Sequence, residues 1–505
     1  MPTMKKSLLA LAVAGTMAMS GAYAASVLEP AGATPALATA MYEDGSDVLI
    51  NATATNDIDY GKMDTNVDEQ TYDSADINHD ATFYIYDSAA PGTGTFTITG
   101  DTDVAAGKNL AFILGESGAG TSTVSVSANF GTITTNVTGS MSITTAAAST
   151  STITFNGGAD LGTGTVTLAN ALDTLIVADA GTLVTTGGID GGSAGVGILT
   201  IQNQTDVAMT IAGAVGSTNS LAAVNVTSTA NTVTFNNAVN ATTITLTGVA
   251  DDDETAFQGD VTGDIVLVAG QLVTFTADEK LVGNITTTDG AGILTFALTG
   301  TDTTLVSGNV GVAGTGDLAV LNVTPDEDMT ATFGGTVNAL AININDVGTV
   351  AFTNDVTTAE LIAVGDATIT MASDMKFVGS IDTDTGASEG TFTFAATGTD
   401  TVLVSGTVGN TQAVKVVNVA PAAGVTATFA DVYKAVTTNH TGTGTVAFSG
   451  TATGIIKIEG GGTVTGAEDI TGTVDNTSGT DGSGTLTMAA TKDVSGAIGA
   501  TNSLL

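Results

Sequence analysis

The chain has 505 residues, of which 51 are acidic and ten are basic, and its formal net charge is −41 at pH 7. All ten basic residues are lysines, and the sequence has no Arg, Cys or Trp and only two His. Disulfides and cysteine-ligated metal centres are therefore excluded. Since this charge repels phosphate groups, we expect no nucleic-acid partner.

Residues 1–24 have the layout of a secretory signal peptide. Lys5 and Lys6 precede a largely apolar stretch from Ser7 to Met19, and the small-x-small site Ala22–Ala24 follows it. This order of features predicts an exported chain that begins near Ala25. No later apolar run approaches the ~20 residues of a transmembrane helix, so we expect no transmembrane segment in the mature chain.

Residues 25–90 differ from the rest of the chain. They contain five of the seven tyrosines and a dense set of aspartates. A solenoid needs a terminal cap over its first coil, so one interpretation is a capping segment. The tyrosines favour the other, a contact element for the cell envelope or a neighbouring chain, because tyrosine is enriched at interfaces.

A calcium-loop pattern occurs within this acidic segment. Asp76, Asn78, Asp80 and Asp87 place oxygen ligands at positions 1, 3, 5 and 12 of the pattern. Position 6 is Ala81 instead of the expected Gly, and the residues after it read as a strand instead of a helix. The spacing predicts a calcium site that departs from the standard loop in these two respects.

Internal repetition dominates residues 91–505. Three landmarks recur four times in the same order, with spacings of 95, 98 and 94 residues between copies of the main landmark. The main landmark spans Gly197–Ile201, Gly292–Phe296, Gly390–Phe394 and Gly484–Met488. A Gly-containing landmark precedes each copy, near residues 188, 283, 379 and 472. The recurrence predicts tandem structural units that share one core.

Within each repeat, apolar residues alternate with Thr, Ser or Asn, as in Thr232–Phe235, Thr242–Thr247 and Thr349–Phe352. This period of two predicts short half-buried strands, and Asp190-Gly191 reads as one of the turns between them. We therefore predict an all-β chain, a right-handed parallel β-solenoid (β-helix) of about four ~95-residue repeats, with roughly 20–25 residues per coil. The alternative is a string of β-sandwich domains, one for each repeat.

Acidic clusters recur in the loops at the edges of the repeats. Adjacent carboxylates repel one another unless a cation neutralises them, and the chain has few lysines to do so. We interpret some of these clusters as Ca²⁺ sites that stiffen or join chains, the alternative being solvated acidic turns. The candidate ligands here are Asp251, Asp252, Asp253, Asp326, Asp328, Asp382 and Asp384.

The composition argues against catalysis. A solenoid glycosidase or lyase would use carboxylates beside cations and aromatic platforms, but the chain has no Arg or Trp. The two histidines, His79 and His440, are each isolated among turn-like residues. We expect no enzyme and identify no catalytic residue, because a catalytic site needs unlike groups that converge.

Phrases such as Gly334–Asn345, Gly348–Phe352 and Val404–Gly409 resemble the Gly/Thr/Asn-rich passenger repeats of rickettsial surface antigens, a family of outer-membrane autotransporters and surface-layer proteins. The resemblance covers roughly residues 150–505. It implies an exported structural or adhesive protein on the surface of a Gram-negative bacterium, which associates with itself and with the outer-membrane surface or lipopolysaccharide.

The family's C-terminal membrane barrel is not seen in this sequence, which stops inside a repeat phrase. We interpret this stop as either a fragment of a longer protein or a non-covalent mode of attachment. The overall expectation is a surface-layer subunit that self-assembles with the help of calcium, and the alternative is an adhesin passenger.

Overall fold

The computed structural model describes separate strands up to residue 145. It then describes residues 150–505, apart from 179–181, 204–206, 230, 249–253, 269, 288–289, 301–302, 315, 384–388 and 399–400. The regular elements within these residues are all β-strands. The chain divides into two compact units, Met1–Gly164 and Thr165–Leu505.

The described strands of the first unit are β1 (Ser26–Val27), β2 (Ser46–Ile50), β3 (Ile58–Asp64), β4 (Gln70–Ile77), β5 (Ala81–Tyr86), β6 (Thr93–Ile98), β7 (Thr102–Val104), β8 (Asn109–Leu114), β9 (Ser125–Phe130), β10 (Ile133–Thr135), β11 (Ser140–Thr145), β12 (Thr150–Phe155) and β13 (Ala159–Asp160).

The first half of the second unit contains β14 (Val166–Leu168), β15 (Thr174–Ala178), β16 (Thr182–Val184), β17 (Ile189–Gly191), β18 (Ile198–Asn203), β19 (Met209–Ile211), β20 (Leu221–Ser228), β21 (Val233–Phe235), β22 (Val239–Thr247), β23 (Glu254–Phe257), β24 (Val261–Val268), β25 (Leu272–Phe275), β26 (Leu281–Val282), β27 (Ile285–Thr287), β28 (Ala291–Leu298), β29 (Thr303–Val306) and β30 (Leu318–Pro325).

The remainder contains β31 (Thr330–Phe333), β32 (Val337–Ile344), β33 (Thr349–Phe352), β34 (Val356–Ala363), β35 (Thr368–Met371), β36 (Phe377–Thr383), β37 (Thr391–Ala396), β38 (Thr401–Val404), β39 (Val414–Pro421), β40 (Thr426–Phe429), β41 (Tyr433–His440), β42 (Thr445–Phe448), β43 (Ala452–Ile458), β44 (Thr463–Gly466), β45 (Ile470–Thr471), β46 (Val474–Asn476) and β47 (Thr485–Met488).

The strands stack in parallel on their equivalents one coil later. β21 pairs with β23, and β23 with β25, so that Phe235, Phe257 and Phe275 are direct neighbours in successive coils. The fold is an all-β parallel β-solenoid of about 15 turns with about 21 residues per turn. The solenoid prediction is therefore confirmed, and the sandwich alternative is wrong because sequential strands stack between coils instead of pairing as hairpins.

The first unit follows the same pairing rule. β5 pairs in parallel with β3 and β8, and β8 pairs with β11 over six residues. The described strands inside residues 25–90 are thus parallel strands like those that follow. The proposed boundary near residue 90 and the capping role of this segment remain predictions.

In the second unit, the longest strands bend around a corner of the coil. Side chains alternate strictly between core and solvent along a straight strand, but in β34 and β41 two consecutive residues leave the core at the middle of the strand. The register of both strands shifts at that point, between Thr357 and Glu360 and between Lys434 and Thr437. Each half of such a strand therefore contributes to a different side of the coil.

Three inward-facing ladders define three sides. The first runs through Phe235, Phe257, Phe275, Phe296, Val323 and Ile344. The second runs through Val239, Val261, Leu281, Val306, Phe333 and Phe352. The third runs through Ile244, Ile265, Ile285, Val310, Val337, Val356, Phe377, Val404 and Phe429.

The sequence repeat is not a whole number of coils. Phe235, Phe333 and Phe429 occupy the same place in successive repeats, in the phrases beginning Thr232, Thr330 and Thr426. They nevertheless lie on the first, second and third ladder, respectively. Each repeat thus spans four coils and one further side, so equivalent surfaces of successive repeats lie on different sides of the coil.

Stacked phenylalanine rings fill parts of the inward-facing ladders. The ring centroids of Phe235 and Phe257 are 5.3 Å apart, and those of Phe275 and Phe296 are 4.6 Å apart. The same stacking recurs between Phe333 and Phe352 and between Phe429 and Phe448. These rings are fully buried, so each removes a large apolar area from water.

The Gly landmark of each repeat marks a corner where the coils approach closely. Gly379 has φ 139°, and a Cβ built on it would lie 1.8 Å from the carbonyl oxygen of Thr358 in the preceding coil. Gly472, its equivalent in the next repeat, has φ 138°. Only glycine fits both the backbone conformation and the space at this corner.

We predict that Phe275→Ala lowers the free energy of unfolding by about 3–5 kcal/mol, because it opens a cavity between two stacked rings. Thr274→Ala, at the neighbouring outward-facing position, should change it by at most about 0.5 kcal/mol. Chemical denaturation followed by circular dichroism measures both. Equal transition midpoints for the two variants would show that the ring stack is not a major source of stability.

Candidate functional site

The predicted acidic ligands occupy different environments. Asp76 is part of strand β4. Seven other predicted ligands lie outside the described residues: Asn78, Asp80, Asp87, Asp251, Asp252, Asp253 and Asp384. Asp326 and Asp328 are exposed and occupy one turn, in which the amide of Met329 donates to the carbonyl oxygen of Asp326 at 3.1 Å. Asp382 is buried in β36, with only 3% of its surface exposed.

Asp382 holds the following coil by hydrogen bonds. Its Oδ2 accepts from the amide of Thr411 at 2.8 Å, and its Oδ1 accepts from the amides of Gln412 and Thr383 at 3.1 and 3.0 Å. Burial alone would raise the pKa of Asp382, but these hydrogen bonds outweigh it, and the pKa lies below the usual value. Both oxygens already have main-chain donors, so the side chain acts as a cap for the loop at 409–413.

The same cap recurs in two other repeats. Asp190 accepts from the amide of Thr218 at 2.8 Å, and Asp475 accepts from the amide of Thr501 at 2.8 Å. Asp190-Gly191, expected to form a turn, lies instead in strand β17, because Asp190 points at the loop of the next coil and Gly191 continues the ladder with Leu168. The prediction of a turn there is wrong.

Aspartates at a different corner have a similar role. Asp278 and Asp374 both adopt positive φ, 55° and 64°, and occupy equivalent places in successive repeats. The Oδ1 of Asp278 accepts from the amides of Thr299 and Gly300, and that of Asp374 accepts from the amides of the next coil in the same way. Much of the acidic composition therefore satisfies main-chain donors at the corners, where charged acceptors make strong hydrogen bonds.

The described residues contain no group of three or more His, Cys, Asp or Glu side chains that could hold a metal ion. Within this part of the chain, three ion pairs occur, all at the surface: Lys280–Asp260, Lys415–Asp366 and Lys492–Glu468. These few lysines leave most of the negative charge of the chain without a countercharge.

A groove lies beside a small hairpin in the second repeat. Its volume is about 460 Å³. The hairpin, numbered 311–316 and described apart from residue 315, is closed by two hydrogen bonds of 2.9 Å between Val312 and Gly316. At the place of the capping aspartates this repeat has Thr286, which donates to the carbonyl oxygen of Ile265 instead. The loop that aspartate caps elsewhere is here longer and forms one wall of the groove.

The opposite wall is a ladder of polar side chains that link successive coils. The amide of Asn284 and its Nδ2 both donate to Oδ1 of Asp264 at 2.9 Å. The amide of Asn309 donates to Asn284 Oδ1 at 2.9 Å, and Thr336 donates through its amide and hydroxyl to Asn309 Oδ1. Asp355 and Thr357 of the following coil extend the lining.

A polar cluster interrupts the apolar core of β41. The Oη of Tyr433 and the Oγ1 of Thr438 are 2.6 Å apart, and both side chains are buried. His440, two residues further on, is fully buried. The positions equivalent to His440 in the two preceding repeats hold Leu246 and Ile344. Burial lowers the pKa of His440 to about 4, so the imidazole is neutral at pH 7.

Sequence reasoning missed the capping aspartates, the groove and this cluster. The recurrence of aspartate directly after the Gly-containing landmark, at 190, 382 and 475, was an available signal for the caps. The groove had no such signal, because its lining comes from five coils.

Comparison with known proteins identifies no relative: no family model, no curated protein and no solved structure matches the chain. In the part of the chain that the structure describes, there is no helix with the length and hydropathy to cross a membrane.

We predict that Asp382→Ala destabilises the fold by about 1–3 kcal/mol, because three main-chain amides, one of them buried and two partly buried, lose their acceptor. Asp326→Ala, which removes an exposed carboxylate from a turn, should cost at most about 0.5 kcal/mol. The free energy of unfolding, measured without divalent cations, tests both.

The lowered pKa of Asp382 also fixes the sign of its pH dependence. The stability that it contributes is complete above the ordinary carboxyl pKa and is lost as the pH falls through the lower pKa of the folded state. An Asp382→Ala variant whose stability equals that of the wild type at pH 7 would contradict the capping role.

His440 should make stability dependent on pH in a higher range. Its folded pKa of about 4 lies below the ordinary value of 6.5, so the unfolded chain binds the proton more readily. The wild type should lose up to about 3 kcal/mol of stability as the pH falls from 6.5 to 4. His440→Leu, which restores the residue of the first repeat, should lack this loss.

The difference between wild type and His440→Leu isolates this effect, because the carboxylates titrate in both proteins. Thermal melts from pH 4 to 7.5 measure it. If the two pH profiles run parallel, protonation of His440 does not contribute.

Proposed function

We propose that the chain is an exported structural protein of a bacterial cell surface, a surface-layer subunit that assembles with copies of itself. The observation that carries this proposal is the advance of one side per repeat in the second unit. A two-dimensional lattice needs contacts in more than one direction, and this advance turns equivalent surfaces toward different sides. Three contact directions would thus be available from one repeated sequence.

The composition supports the same role. The signal-peptide layout of residues 1–24 fits export, and the absence of cysteine suits a protein whose stability comes from a long repetitive core. The phrases that resemble rickettsial surface antigens point to the outer face of a Gram-negative cell. We expect no catalytic turnover, because His440 is enclosed in the core. It is therefore separated from any pair of carboxylates at the surface.

The charge of the chain sets a condition for assembly. At −41, copies repel one another until counterions gather between them. We propose that calcium supplies part of this countercharge at exposed carboxylates such as Asp326, Glu327 and Asp328. Asp382 contributes little to this binding, because its oxygens are occupied by main-chain donors.

An adhesin passenger is the second candidate. The groove beside the 311–316 hairpin favours it, because this groove is a built concave surface on an otherwise regular solenoid. A lattice subunit is abundant and self-associates, whereas an adhesin is sparse and binds a foreign ligand.

We predict that the purified mature chain forms ordered sheets in millimolar calcium, visible by electron microscopy, and that chelation disperses them. Magnesium at equal concentration is the control for general screening of charge. A triple variant Asp326→Asn, Glu327→Gln, Asp328→Asn should need more calcium to assemble, whereas Asp382→Asn should not. Isolated particles under all these conditions would overturn the lattice proposal and favour the adhesin.

A further inference from the structure

The groove is a local departure from a regular repeat. At the place where Asp190, Asp382 and Asp475 cap a loop of the next coil, this repeat has Thr286. The loop that forms one wall of the groove is two residues longer than its equivalents after Gly216 and Gly409. Where one copy of a repeat breaks a pattern that the others keep, a function of that copy is the expected reason.

The lining restricts the chemistry of a ligand. Asp264 and Asp355 contribute two carboxylates, and no lysine is among the lining residues, so anions are repelled. The described residues here offer no third acidic or imidazole ligand that would fix a metal ion. The lining combines polar side chains with apolar surface and has no aromatic ring, which disfavours a flat aromatic ligand.

The remaining polar atoms form an alternating set of acceptors and donors. The Oδ1 of Asp264 accepts from the amide of Asn284, and the Oδ1 of Asp355 accepts from the amide of Lys376, each in the next coil. The Oδ2 of both aspartates has no hydrogen-bond partner among the described residues. In the same part of the chain the Nδ2 of Asn309 makes no hydrogen bond, and it lies between these carboxylates along the groove. Carboxylate oxygens accept from hydroxyl groups, and the amide donates to them.

The groove has the length of a chain-like ligand. Its lining crosses five successive coils, from Asp264 to Thr357. With parallel strands ~4.8 Å apart, this distance is on the order of 19 Å. The exposed side chains of Val312 and Ala313 provide a small apolar rim that suits the C–H face of a sugar ring.

We propose that this groove binds a segment of a neutral polysaccharide. Asp264 and Asp355 accept hydrogen bonds from adjacent hydroxyl groups, Asn309 donates to a ring or hydroxyl oxygen, and Val312 covers the apolar face. The site lies within one chain and does not require a lattice, so it stands or falls independently of self-assembly.

The test is binding of the purified mature chain, without calcium and at a concentration where it is a single particle, to an array of neutral hexasaccharides and to the anionic hexagalacturonate. We expect a subset of the neutral glycans to bind and hexagalacturonate not to bind. The double variant Asp264→Asn, Asp355→Asn should weaken the affinity at least tenfold in calorimetry. It keeps the Oδ1 acceptors of the coil, so circular dichroism and the melting temperature should stay unchanged.

The matched control is Asp260→Asn. Asp260 precedes β24 as Asp355 precedes β34, and its Oδ1 accepts from the amide of Lys280 as that of Asp355 accepts from Lys376. Asp260 lies outside the groove, so its variant should bind within twofold of wild type. No binding to any neutral glycan, equal binding of hexagalacturonate, or equal weakening by Asp260→Asn would overturn the proposal.

Polysaccharide extracted from the producing cell and a foreign neutral glycan are then compared as competitors. If the cell's own polysaccharide displaces the hexasaccharide, the groove is an attachment site. If only the foreign glycan displaces it, the groove is an adhesive site. Either result supports neutral-glycan binding.

Discussion

The structure depends on in-register parallel pairing between coils about 21 residues apart. Each coil leaves a row of main-chain donors and acceptors that only the next coil satisfies, so the length of a coil can vary only at its corners. This constraint explains why glycine recurs where coils approach closely, as at Gly379, and why so many carboxylates lie at corners. A chain without arginine or cysteine thus obtains its order from backbone pairing, stacked rings and aspartate caps.

The advance of one side per repeat follows from the same geometry. A repeat of about 97 residues fits four coils and part of a fifth, so Phe235, Phe333 and Phe429 fill equivalent places on different sides. Duplication of such a unit extends the core without interruption, because every side accepts the same apolar residues. Duplication also distributes any surface feature around the coil, which is the property that a lattice subunit needs.

Two departures from the repeat stand out among the described residues. His440 and Thr438 replace aliphatic residues in the core. The burial of His440 makes the free energy of unfolding depend on pH. Around the groove, Thr286 and a longer loop replace an aspartate cap, and the groove extends over five coils. The regular positions account for the fold. The irregular ones are the groove, where we propose that a glycan binds, and His440, where we expect pH to change the stability.

The sequence by itself determined the all-β class, the strands, the repeat and the coil length, because a period of two and recurring glycines are local signals. It also showed acidic clusters, but their partners are main-chain amides 20–30 residues away, which only the stacking of coils reveals. For that reason the sequence did not show that Asp382 accepts hydrogen bonds from the next coil, or that Asp190 lies in a strand. Which side each repeat faces, and which side chains line the groove, were decided by tertiary structure, because both depend on how many residues each corner adds to a coil.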